Sequence, residues 1–179
     1  MHKKKKVLAL LGSTKQDSFN LKILQKFMQL TESIFAVEIY PLGELPYFNP
    51  DLDNENTIPI SVVNFRNCIE TSAGIIICTP EYVFSLPGIL KNALEWTVST
   101  MLFHEKPTAL ITASSSGDKA HESLELVMKT IGAKVGDQSS ILIKSVKTVL
   151  NEQGEIKNPN ILADLNGLIE NFKATLEQF

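Results

Sequence analysis

Three short stretches of the chain carry side chains whose types and spacing suit ligand chemistry. The first, Gly12-Ser13-Thr14-Lys15-Gln16-Asp17-Ser18-Phe19-Asn20, holds one glycine, three hydroxyls, one lysine and one asparagine. All of these polar groups can donate, and a helix starting here adds free N–H groups and a partial positive charge. That combination suits a phosphate. The same residues also suit an ordinary helix start with Ser18 as its N-cap. The stretch is neither GxxxxGKS/T nor GxGxxG, so a P-loop and a dinucleotide turn are both disfavoured.

The second stretch runs from Pro80 to Pro87, with Glu81, Tyr82, Val83 and Phe84 in succession. Glu81 and the loop amides offer polar contacts to a heterocycle, and the two aromatic rings offer a flat apolar surface. Alternatively, the rings fill core or a subunit interface. Glu81 could serve as a general acid, but no histidine accompanies it in the sequence. The third stretch is Ser114-Ser115-Ser116-Gly117, a hydroxyl-rich turn that reads as a simple loop by itself.

The remaining reactive residues form no constellation. His121 opens a helix, where the dipole disfavours its charged form; it reads as structural rather than as a proton donor. Cys68 and Cys78 make no CxxC and no metal spacing, and Cys78 sits in an apolar run as a small hydrophobe. Trp96 shares a helix face with Ile89 and Ala93, which suits packing. No GxSxG turn or Ser/His/Asp set is present, so catalysis by a protein side chain is not expected.

These stretches sit between elements of alternating type. Val7–Leu11 is an apolar run ended by Gly12, as expected for a strand buried on both faces. A helix is expected from Asn20, on Leu21, Leu24, Phe27 and Met28. Strands are expected at Phe35–Tyr40, Gly74–Thr79, Thr108–Ala113 and Lys134–Ile143, the last broken near Gly136. Helices are expected at Ile60–Ser72, Pro87–Ser99 and His121–Ile131, and over the periodic segment from Leu162 to Phe179. A proline-rich loop fills 41–59, and Asn151–Gly154 reads as a turn. This alternation predicts an α/β fold: a flavodoxin-like, doubly wound, five-stranded parallel sheet in the order 2-1-3-4-5 with helices on both faces. Ligands of such sheets lie beyond the carboxyl ends of the strands, where the three stretches fall.

Composition bounds the reading. The chain has 179 residues, 44% hydrophobic and 21% charged, with a net charge of −3. These values fit one domain over residues 1–179, and they disfavour disorder, a disulfide scaffold and a general nucleic-acid binder. Lys3–Lys6 reads as part of a frayed basic terminus over residues 1–6. The apolar run behind it is too short for a signal peptide, and no segment suits a membrane span, so a cytoplasmic location is expected.

The sequence resembles the NADPH-dependent FMN reductase family, which includes chromate/quinone reductases and azoreductases. The resemblance rests on Gly12-Ser13-x-Lys15-x-x-Ser18-x-Asn20 and on Pro80-Glu81-Tyr82. It continues through Leu86-Pro87-Gly88-x-Leu90-Lys91-Asn92-Ala93-x-Glu95-Trp96. It implies that Ser13, Lys15, Ser18 and Asn20 donate to an FMN phosphate, with Phe19 in the same cofactor-binding loop. Pro80, Glu81, Tyr82, Val83 and Phe84 would line the isoalloxazine, and Ser114, Ser115 and Gly117 would close its other side. The implied activity is FMN-dependent hydride transfer from NADPH or NADH to a quinone, flavin, azo dye or metal oxyanion. The resemblance also implies a homodimer or homotetramer, with Phe84 and Trp96 as candidate interface residues. The chain is too short for a separate nucleotide domain, so both substrates must use one pocket in turn, which predicts ping-pong kinetics. Three positions depart from the family pattern: Lys15 replaces an arginine, Val83 replaces an asparagine, and Asp118 follows Gly117 where a double glycine is common. A flavodoxin-type electron carrier without NAD(P)H turnover, or a member that has lost flavin, is the alternative.

Overall fold

The computed structural model describes residues 4–151 and 155–178. Five parallel strands, β1 (Lys5–Leu11), β2 (Phe35–Tyr40), β3 (Gly74–Thr79), β4 (Pro107–Ala113) and β5 (Lys134–Ile143), form one sheet in the order β2-β1-β3-β4-β5. The expected order is the observed one. Every residue of β3 and β4 is buried. Their continuous apolar runs therefore serve both faces of the sheet.

Side-chain alternation along the strands creates two cores. Val7, Ala9, Ile76, Cys78, Ala109 and Ile111 face α1 (Phe19–Leu30) and α6 (Pro159–Glu177), where Phe27, Leu168 and Phe172 pack. Leu8, Leu10, Ile75, Ile77 and Leu110 face α2 (Ile60–Thr71), α3 (Gly88–Glu95) and α4 (Asp118–Thr130), where Phe65, Trp96 and Leu124 pack. A single helical turn, α5 (Val146–Val149), precedes α6.

Some boundaries differ from the expectation. Lys5 and Lys6 do not fray: they pair with Phe35 and Ala36, and Lys6 forms an ion pair with Glu38 at 3.3 Å. Parallel pairing with β2 extends the strand past its apolar run. Residues 1–3 of the predicted frayed terminus lie outside the described residues, as do Phe179 and positions 152–154 of the predicted turn. α3 stops at Glu95 rather than Ser99, the chain continuing in turns from Trp96. Trp96 is completely buried, so it is not an interface residue. The irregularity near Gly136 is a bulge: Val135 pairs with Thr108 and Ser140 with Leu110, so Ala109 alone faces four residues of β5.

β1 leads outward to β2 on one side, while β3 continues the sheet on the other. In sheets of this order the loops following β1 and β3 part at this switch point, and a ligand crevice is expected between them.

Candidate functional site

Gly12 follows the last residue of β1 and packs against the end of β3 at this switch point. Its amide donates to the Cys78 carbonyl at 2.9 Å. A Cβ at this position would lie 2.7 Å from Thr79 Cβ and nearer still to the hydroxyl, so only glycine brings the two strand ends this close.

Beyond Gly12 the loop climbs to α1. Ser18 is the N-cap, its Oγ accepting from the Leu21 amide at 3.0 Å. The hydroxyl keeps its own proton for a further acceptor. Ser13 is mostly buried, and its Oγ receives the Lys15 amide at 3.4 Å. Lys15 is exposed and forms no ion pair among the described residues. The amides of Thr14, Gln16 and Asp17 bond no protein acceptor among the described residues. No acidic side chain occupies the first turn of α1. Asp17 is drawn away by Lys22 at 2.9 Å, whose hydrogen bond holds the Asp17 carboxyl below its usual range. This helix end is thus open to an anion.

Asn20 faces inward. It is 3% exposed, and its Nδ2 donates to the Ala113 carbonyl at 3.0 Å. This bond ties the first loop to the end of β4, so the amide expected at a phosphate is committed within the fold. Phe19 is half-buried against the α1–α6 core, with Lys22 Nζ 5.9 Å from its ring centroid.

The second loop contains a two-residue turn. Tyr82 and Ser85 exchange both backbone hydrogen bonds at 3.1 Å, with Val83 at φ 52° and Phe84 at φ 55° between them. Left-handed backbone at both central positions is the type I′ geometry, which favours Asn and Gly. A β-branched valine there is strained. Val83 is 95% exposed and Phe84 77%, so neither ring nor branch is in the core. The amides of Glu81, Val83 and Phe84 have no protein acceptor among the described residues.

The Glu81 carboxylate reaches across to the start of α4. Its Oε1 accepts from the Gly117 amide at 3.2 Å, and its Oε2 accepts from Lys119 and Ala120, each at 3.0 Å. It therefore caps α4, whose own N-cap, Gly117, has no side chain to do so and lies at φ 94°. Sequence reasoning missed this role; the signal was a glycine at a helix start with no capping side chain.

In the third loop, Ser114 donates its amide to Ile143, while the amides of Ser115 and Ser116 bond no protein acceptor among the described residues. Asp118 does not add bare charge at this edge. Lys144 pairs with it at 2.6 Å and Ser116 Oγ donates to it at 2.9 Å. These bonds, that to Lys144 first, lower its pKa.

His121 is structural in its contacts. Nδ1 lies 2.9 Å from Thr112 Oγ1, and Nε2 lies 3.4 Å from Ser140 Oγ and from Glu125 Oε1. Burial pushes its pKa down, against the pull of Glu125 and Asp118. Cys78 is buried, and burial pushes its thiol pKa far up. A second unforeseen device lies at α3. Asn92 Nδ2 and Trp96 Nε1 both donate to the Pro46 carbonyl, at 3.0 and 2.8 Å, pinning the proline-rich loop.

The fold and site define a flavodoxin-like protein with an anion-ready helix start flanked by two amide-bearing loops at its switch point. The family model for NADPH-dependent FMN reductase matches residues 5–147, and the chain belongs to that family of oxidoreductases. FMN is the cofactor of this family, and a reduced nicotinamide nucleotide its co-substrate. The donor set fits FMN: hydroxyls, an ammonium and free amides at α1 suit its phosphate, and free amides of the other two loops suit a polar ring edge.

Among curated proteins, the NADH:(hydroxy)cinnamate reductase subunit CrdA of Vibrio ruber is 28% identical, over 92% of this chain and 84% of its own length. A quinone reductase of Escherichia coli K12 is 26% identical, over 96% of this chain and 95% of its own. Among solved structures, the flavoenzyme NAD(P)H:(acceptor) oxidoreductase FerB of Paracoccus denitrificans superimposes with a TM-score of 0.79 at 24% identity. That match covers 97% of this chain and 98% of FerB. Among the described residues, no helix is long and apolar enough to cross a membrane.

Proposed function

We propose that this protein is an FMN-dependent NAD(P)H oxidoreductase acting on quinones or related acceptors: flavins, azo compounds or metal oxyanions. The observation that carries the reading is the α1 start, where the amides of Thr14, Gln16 and Asp17 bond no protein acceptor and Lys15 forms no ion pair among the described residues, Ser13 and Ser18 lie beside them, and the one acid, Asp17, is paired with Lys22. Ser13, Lys15 and Ser18 hold the FMN phosphate in this reading. Pro80–Phe84 and Ser114, Ser115 and Gly117 hold the two sides of the ring. FMN supplies the hydride chemistry when bound. The chain binds and orients it, and no side chain acts as acid or base.

The crevice is shared, so nucleotide and acceptor visit in turn and the kinetics are ping-pong. Residues 1–179 act as one flavin-binding domain, located in the cytoplasm. The relatives' names, two of them reductases of aromatic or quinonoid compounds, support the acceptor class. Exposed Phe84 and an apolar groove lined by Leu94, Val98, Leu126 and Val127 between α3 and α4 support a homodimer or homotetramer.

The test is an anaerobic visible spectrum of FMN-loaded protein before and after NADPH, followed by a quinone. Bleaching by the nucleotide and recovery with the quinone are expected. Protein that takes up no FMN overturns the reading, and bound FMN that NADPH and NADH both leave unreduced reduces it to an electron carrier.

A further inference from the structure

We propose that Glu81 is a positioning residue: its carboxylate fastens the loop after β3 to the loop after β4 and fixes the width of the slot between them. The inference rests on the FMN reading above and adds how the slot is held.

The two loops belong to different strand–helix units, and each is short of internal support. The first ends in the strained Val83–Phe84 turn, the second in a glycine N-cap at φ 94°. Glu81 bridges them with three backbone hydrogen bonds, using both carboxylate oxygens. Bonds to a charged acceptor are the stronger kind, and the α4 dipole adds to them. Asp118, the acid inside that first turn, is held by Lys144 and Ser116 and bonds none of these amides. Among the described residues, Glu81 is the side chain that caps these amides.

A second consequence concerns the phosphate. With the amides of Gly117, Lys119 and Ala120 bonded to Glu81, the start of α4 offers an anion fewer donors than the start of α1, where the Thr14, Gln16 and Asp17 amides bond no protein acceptor among the described residues. Glu81 thus favours the α1 start over the α4 start for an anionic ligand.

The test measures FMN affinity by quenching of flavin fluorescence, together with melting temperature and amide exchange at Gly117, Lys119 and Ala120. The variants are Glu81→Ala, Glu81→Gln and Leu124→Val. Leu124 is buried in α4 and belongs to none of the loops, so its variant loosens the helix without touching the bridge. Glu81→Ala is expected to weaken FMN binding by about tenfold or more and to speed exchange at the three amides. Glu81→Gln, which keeps one accepting oxygen, is expected to lose less. Leu124→Val is expected to bind FMN within about twofold of wild type despite a lower melting temperature, since distant sites are nearly independent.

Unchanged FMN affinity in Glu81→Ala overturns the proposal, as does loss of affinity in proportion to melting temperature across all variants. Should Glu81→Ala fail to fold, the isosteric Glu81→Gln carries the same comparison. Wild-type protein that binds no FMN overturns the FMN reading and this proposal together. Wild-type binding with no effect of Glu81 overturns this one alone.

Discussion

Gly12 and Thr79 meet at the switch point of the sheet, where a Cβ on residue 12 would stand 2.7 Å from Thr79 Cβ and 3.3 Å from its Cα. The contact is with backbone-anchored atoms, so rotation of a side chain cannot relieve it. Gly12→Ala is therefore expected to cost about 1–3 kcal/mol by overpacking and to splay β1 from β3. Denaturant titration checks the stability, and FMN uptake checks the site. Thr79→Ala in the same chain removes the hydroxyl but leaves Cβ, so it rescues only part of the loss.

The Val83 backbone stores strain that its neighbours do not relieve. At φ 52° and 95% exposure, an asparagine would sit there with less cost. Val83→Asn is expected to stabilise the protein by about 1 kcal/mol, or roughly 2–4 °C in melting temperature. Calorimetry of the flavin-free protein reads this directly; a drop in melting temperature would contradict it.

Lys15 offers a point charge where a guanidinium would offer a planar fork. Lys15→Arg is expected to tighten FMN binding by about fivefold, and Lys15→Ala to weaken it by a similar factor. The gap between the variants should shrink in high salt, because Lys15 is exposed. Fluorescence titrations at two ionic strengths provide the measurement.

His121 gives the stability a pH dependence of known sign. Burial lowers its pKa in the fold, so the unfolded chain binds the extra proton first. Its contribution is complete above the unfolded value near 6.5 and declines as pH falls from there towards the folded value. His121→Asn is expected to flatten the melting-temperature profile in that window. Asp17 and Asp118, whose pKa values are lowered by Lys22 and Lys144, act in a separate, more acidic window. Melting curves through both windows separate the contributions.

The centre of the sheet was legible because β3 and β4 are buried along their whole length. Residues buried on both faces leave no other reading for Gly74–Thr79 or Thr108–Ala113. Helix ends were less legible. Trp96 looked like a continuation of α3 because periodicity does not record where the helix gives way to turns. Lys5 and Lys6 looked frayed because strand pairing with β2 is a backbone property that lysine side chains do not advertise.

The site divides the same way. The sequence by itself determined that donors gather after β1, that amide-bearing loops follow β3 and β4, and that all three fall at the carboxyl end of the sheet. It did so because each donor lies within a few residues of a recognisable strand end. Only the tertiary structure decided what those donors bond. Asn20 turns inward to Ala113, 93 residues away, and Glu81 reaches 36 to 39 residues along the chain to α4. Such bonds depend on which loops the strand order brings together, and local sequence carries no record of that distance.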